Sequence, residues 1–184
     1  MSFIKLVAAL LLLFLIGCTH SSISTQINVD IAPQAQFSLT LPSKALWNTE
    51  LSQQMEIRYG DNVHQLILLT AFNAESIGIV ALTPAGIPLF ELNFNENKQI
   101  NVVKHLPIDG LSPEYVLADL QLVYWPLQQL NNQLSEGTSL VENVEGQRVV
   151  MQNSQPIIRI EKNGNIISYQ HLVRNYQFTV TNLE

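Results

Sequence analysis

The sequence holds a single cysteine, Cys18, among 184 residues. One cysteine excludes an internal disulfide, so the stability of the fold must come from packing. Charge is scarce too. Asp, Glu, Lys and Arg make up 13% of the chain, with 9 basic against 15 acidic residues and a formal net charge of −6. With an acidic balance and no run of Lys or Arg, the chain lacks the footprint of a nucleic-acid binder or of a protein docking electrostatically on anionic lipid. The eight glycines never take a phosphate-cradling spacing, and no G-x-S-x-G elbow occurs. His20, His64, His105 and His171 are scattered and have no second cysteine beside them, so zinc-ligand spacing is absent. No metal or cofactor is expected. The apolar run Leu6 to Ile16 is uncharged but falls short of the roughly 20 residues that a spanning helix needs.

That short run has a different meaning in its context. Lys5 precedes it and small Gly17 follows it, which is the layout of a signal peptide. The stretch Leu15-Ile16-Gly17-Cys18 resembles the lipobox of bacterial lipoproteins. The resemblance implies cleavage before Cys18, lipidation of its sulfur and acylation of the new amino terminus. Two or more acyl chains anchor a protein stably without any spanning segment. Thr19 is not the aspartate that signals inner-membrane retention in such lipoproteins, so the resemblance places the protein at the periplasmic face of the outer membrane. Loss of Lys5 with the signal peptide takes the net charge from −6 to −7. Residues 1–17 are then the signal peptide, 18–35 the lipidated N-terminus and tether, and 36–184 one domain. The tether reading rests on Ser21, Ser22, Ser24, Thr25, Gln26 and Asn28, closed by Pro33. Alternation of Ile23, Ile27, Val29 and Ile31 also allows an added strand there.

Period-two alternation dominates the domain. Met55, Ile57 and Tyr59 oppose Gln54, Glu56 and Arg58, and Gly60-Asp61-Asn62 turns the chain. Val63 to Phe72 and Ile77 to Leu82 are apolar on both faces, the pattern of strands covered on both sides. Thr83 to Gly86 is a tight turn before Ile87 to Phe94, and Gln99 to Lys104 adds a short strand. Ser112 then reads as an N-cap, with Pro113 at the first helical position. Val116, Leu120, Val123, Leu127, Leu130 and Leu134 recur at helical spacing. Pro126 predicts a kink, or two short helices meeting near Trp125. Strands resume at Leu140 to Val144 and Arg148 to Met151. Ile157 to Glu161 and Ile166 to Tyr169 flank Asn163-Gly164 as a hairpin, and Tyr176, Phe178 and Val180 mark a last strand. The sum is nine or ten antiparallel strands with one helical insertion.

Carboxylates in apolar surroundings are few: Asp119, Glu91 and Glu114. They lie on different elements and do not form a glycosidase-type pair. Asp119 reads as a tether between helix and sheet, because a buried polar group must be paired. No catalytic residue is assigned, and the chain is read as a non-enzyme.

The stretch Leu82-Thr83-Pro84-Ala85-Gly86, the strand Pro88 to Asn93, the helix and the later hairpins resemble, in order, the lipoprotein acceptor LolB and its periplasmic relative LolA. Residues Tyr115 to Leu130, with the core ADLQLVYWP, resemble an uncharacterised family of bacterial lipoproteins encoded with aryl polyene or related lipid-biosynthesis genes. The resemblance implies an antiparallel open half-barrel, mainly β with a helical lid, around an apolar cavity for an acyl-chain or lipidated ligand. Leu66, Leu68, Phe90, Leu92 and Phe94 are the expected lining from strands, with Leu120, Tyr124 and Trp125 from the lid. Pro84, Ala85, Gly86 and Ile87 form the expected membrane-facing loop. One departure stands out: LolB carries a large apolar residue where this chain has Ala85. The expected activity is non-covalent lipid binding and transport at the outer membrane. The rival expectation is a solidly packed structural lipoprotein that docks a protein partner in lipid or polyene biosynthesis.

Overall fold

The computed structural model describes residues 26–106 and 112–183; Cys18 and the signal-peptide segment lie outside the described residues. The fold is mainly β. Ten strands form one antiparallel sheet that stays open, and two more form a separate hairpin.

The chain begins with that hairpin. Strand β1 (Asn28–Ala32) pairs with β2 (Ala35–Ser38), so residues 28–35 are folded where a tether was expected. Val29, Ile31, Ala32 and Ala35 are buried, and burial of this alternating face outweighs the polar composition around it. The main sheet follows with β3 (Thr49–Tyr59), β4 (Asn62–Phe72), β5 (Ser76–Leu82), β6 (Pro88–Asn95) and β7 (Ile100–Lys104). Two helices then interrupt it, α1 (Pro113–Tyr124) and α2 (Leu127–Asn131). The break falls at Trp125-Pro126, where proline cannot continue the helix. Five strands complete the sheet: β8 (Thr138–Glu142), β9 (Arg148–Gln152), β10 (Gln155–Asn163), β11 (Ile166–His171) and β12 (Tyr176–Asn182). The strand order is β7-β6-β5-β4-β3-β12-β11-β10-β9-β8, so the last strand closes beside the first long one. Pairing of Asn163 with Ile166 moves the β10–β11 loop one residue on, to Gly164-Asn165. Gly164 takes φ +62° at the first loop position, where only glycine is unstrained.

The expected faces of β3 to β6 hold. Leu66, Leu68, Phe90, Leu92 and Phe94 all point to the buried inner side. The outer side corrects the expectation of strands covered on both faces. No element packs over it among the described residues: Leu69 is 39% exposed, and Ile67, Val80 and Leu82 are half-buried. These outer apolar residues shield one another as cross-strand pairs, Ile67 with Leu82 and Leu69 with Val80, which is how sheet neighbours stabilise an open face.

Helix α1 lies against the inner side of the sheet with the β1–β2 hairpin against it. Every residue from Leu117 to Val123 is buried. A helix buried all round needs partners for its polar groups; the sheet supplies those at its C-terminal end, and Thr40 N–H donates to Gln121 Oε1 at 3.0 Å. Arg148 of β9 donates from one terminal nitrogen to the carbonyls of Leu122, Val123 and Trp125 at 2.9–3.1 Å, capping the carbonyls that any helix end leaves open. Its Nε bonds Glu142 of β8.

Candidate functional site

Between α1 and the sheet is an apolar cavity of about 620 Å³. Its walls come from the inner faces of β3, β4, β5, β6, β11 and β12, and its roof is α1. Met55, Ile57, Leu66, Leu68, Ile79 and Phe90 form one wall, Ile167, Phe178 and Val180 the other, and Val116, Leu120 and Val123 the roof. Helical spacing explains the roof, and strand alternation the walls.

The two ends of the cavity differ. At one end, Tyr59, Asn62 and His64 are exposed and line the cavity together with Ser112, Tyr115 and Arg174. This is the mouth. The Arg174 guanidinium stacks 3.4 Å from the Tyr115 ring centroid and donates to the Asp30 carbonyl. At the opposite end, Gln53 is 1% and Thr70 2% exposed. Gln53 Nε2 donates to the Tyr124 hydroxyl at 2.5 Å and to Asn182 Oδ1 at 2.6 Å, and this chain of polar groups closes the cavity.

Asp119 sits on the inner side of α1, in the cavity wall. Its two oxygens accept hydrogen bonds from the hydroxyls of Tyr169 on β11 and Tyr176 on β12. Burial pushes its carboxyl up from 3.8 to about 7, although both tyrosines and the Arg174 charge pull the other way. The carboxyl ties helix to sheet, the role that the sequence suggested. Tyr169 stacks on Phe178 with centroids 4.4 Å apart, which fixes its hydroxyl in place. His171 is buried, and burial with the nearby Arg174 lowers it from 6.5 to about 4. It is neutral at physiological pH.

Of the eight lining residues expected from sequence, Leu66, Leu68, Phe90, Leu120 and Tyr124 line the cavity. Leu92, Phe94 and Trp125 do not. Leu92 and Phe94 face inward but lie farther along β6, in solid core. Trp125 leaves the helix in extended conformation, and its ring lies in the core beyond the closed end of the cavity. There it meets Phe72 edge-on at 5.5 Å, and its Nε1 donates to Thr40 Oγ1 at 3.1 Å. Sequence reasoning missed the β11 and β12 contributors and the polar mouth, because strands far apart in the chain meet only through the β3–β12 pairing. His64 and His105 stay apart: His64 lines the cavity, while His105 pairs with Glu91 at 2.9 Å outside it. Glu114 is engaged with the Ser112 hydroxyl at the helix start.

Pro84, Ala85, Gly86 and Ile87 are all exposed, Ile87 by 53%. Pairing of Ile67 with Leu82, and of Tyr59 with Asn62, puts this loop at the same end of the sheet as the mouth. Among the described residues no His, Cys, Asp or Glu cluster has the makings of a metal site, and no helix is long and apolar enough to cross a membrane.

The fold and cavity define a class: an open antiparallel sheet that, with one buried helix, surrounds an apolar chamber open at one end among the described residues. Within that class, residues 50–184 match the family described as protein of unknown function DUF3261, and the chain belongs to it. A comparison with curated proteins finds no match.

Proposed function

We propose that this protein is a LolB-like outer-membrane lipoprotein that binds a lipid or lipidated ligand non-covalently and assists its transport or placement at the membrane. The observation that carries this reading is the apolar chamber of about 620 Å³ with a polar mouth. That volume lies in the range of ligand-binding pockets, and each methylene buried in such a chamber contributes about 0.8 kcal/mol. Arg174 at the mouth offers a cation to an anionic headgroup. Lipidation of Cys18 holds the domain at the periplasmic face of the outer membrane, with the exposed Pro84 to Ile87 loop beside the mouth. Tyr59, Val63, Ile87, Leu106 and Val173 leave further apolar surface exposed. Reaction chemistry is no part of this proposal, since Asp119 is held by two tyrosines as a tether.

The partly exposed outer strip of Ile67, Leu69, Val80 and Leu82 favours a second reading, a scaffold that docks a biosynthetic partner there. Native mass spectrometry of the full chain extracted from its own membranes separates the two. A co-purified lipid adduct, displaced by added fatty acid, is the expected result. An adduct-free chain that takes up no acyl ligand would refute the carrier reading.

A further inference from the structure

The closed end of the chamber holds a polar atom with no partner among the described residues. Thr70 lies on the inner face of β4, between Leu68 and Phe72 and opposite Leu51 and Ile79. It is 2% exposed, lines the chamber, and its Oγ1 makes no hydrogen bond among the described residues. Valine would fill the same space in an otherwise apolar row, and a buried hydroxyl with no partner is unfavourable. Tyr124 reaches the same end. Its hydroxyl accepts from Gln53, which leaves its own proton to donate. Both donors of Gln53 are already committed, to Tyr124 and Asn182. The closed end therefore presents two hydroxyls to whatever lies against it.

We propose that the closed end binds an oxygen-bearing terminus, so that the ligand is an elongated chain polar at both ends and not a methyl-ended acyl chain. This rests on the carrier reading and sharpens it. Thr70 stands level with Leu51, and Tyr176 near the mouth stands level with Tyr59. The two levels are roughly 27 Å apart at the strand rise of about 3.4 Å per residue. A long ω-hydroxy acid, with side chains and a hydrogen bond at each end making up the remainder, bridges the two levels, its carboxylate at Arg174 and its far hydroxyl at Thr70 and Tyr124.

The full chain in amphipol, offered equimolar hexadecanoic acid and 16-hydroxyhexadecanoic acid, tests this by native mass spectrometry. The ratio of the two adducts is read for wild type, Thr70→Val and Tyr124→Phe under identical conditions, so partition into the amphipol cancels. Wild type should favour the hydroxy acid about tenfold, the worth of one good hydrogen bond. Either variant should bring the ratio down toward one. Thr70→Val should unfold at no lower temperature than wild type, which excludes misfolding as the cause. Equal ratios in wild type and both variants overturn the inference while leaving the carrier reading intact. Binding of neither acid to wild type overturns both.

Discussion

Replacing Asp119 with asparagine should change how stability depends on pH, in a direction that the structure dictates. In the folded protein the carboxyl titrates at about 7, against 3.8 when unfolded. Between those values the folded state keeps a proton that the unfolded state has released. The stability this contributes is therefore complete below about pH 4 and is lost as pH rises toward 7. At about 1.4 kcal/mol per pH unit, the loss has a ceiling of about 4 kcal/mol. His171 works against it. Its folded value of about 4 lies below the 6.5 of the unfolded chain, so the unfolded state takes up that proton first. Stability then falls as pH drops from 6.5 to 4, with a ceiling of about 3 kcal/mol. The opposed slopes share one window, so wild type should show a nearly flat profile there.

An asparagine side chain would keep the shape and the tyrosine contacts without titrating, so Asp119→Asn should expose the His171 slope alone. Urea unfolding followed by far-ultraviolet circular dichroism, at half-unit steps from pH 4 to 8, measures both curves. The variant should match wild type within about 1 kcal/mol at pH 4 and exceed it by up to about 4 kcal/mol at pH 8. Parallel curves for the two proteins would show that Asp119 does not carry the buried proton.

Arg148→Met keeps the apolar stem but orphans three helix carbonyls and Glu142. It should cost about 3–5 kcal/mol in the denaturant midpoint, and a loss below 1 kcal/mol would deny the capping role. A chain starting at Gln36 removes Val29 and Ile31, both buried, and should be about 3–6 kcal/mol less stable than one starting at Gln26; equal thermal midpoints would mean that the hairpin is an appendage. Cys18→Ser should accumulate as unprocessed precursor at the inner membrane, and mature mobility at the outer membrane would remove the anchor. In LolB-depleted cells wild type should fail to restore growth, because Ala85 supplies only part of the about 1.5–3 kcal/mol that a leucine gives on insertion. Ala85→Leu should do better, and rescue by wild type would refute the role given to the loop.

Much of this architecture is legible in the residues. Alternation in β3, β6 and β12 and the Ser112-Pro113 start of α1 need only local rules, and the inner face of each central strand follows from them. What the chain does not reveal locally is which strands become neighbours. Tyr169 and Tyr176 read as ordinary strand aromatics until β12 pairs with β3 and brings both hydroxyls to Asp119. Arg148 looks like a surface cation at a strand start, and nothing near it in sequence announces three carbonyls at the end of α1. Trp125 fits the helical stripe, but one extended residue after Tyr124 rotates it away. The apolar outer row of β4 and β5 suggested a second covering layer, yet the same composition serves cross-strand shielding on an open face.

The early start of the folded chain sets a length scale. On the proposed anchoring at Cys18, with β1 beginning at Asn28, nine residues lie between anchor and fold. The ten Cα steps from Cys18 to Asn28 can span about 35 Å at most, where the steps to residue 35 could span about 60 Å. So short a span would confine a domain anchored in this way to the lipid surface that holds it. On the carrier reading, cargo would then have to be brought to the protein, and any hand-over would happen within that distance of the surface. That would make the proposed carrier a station, not a ferry.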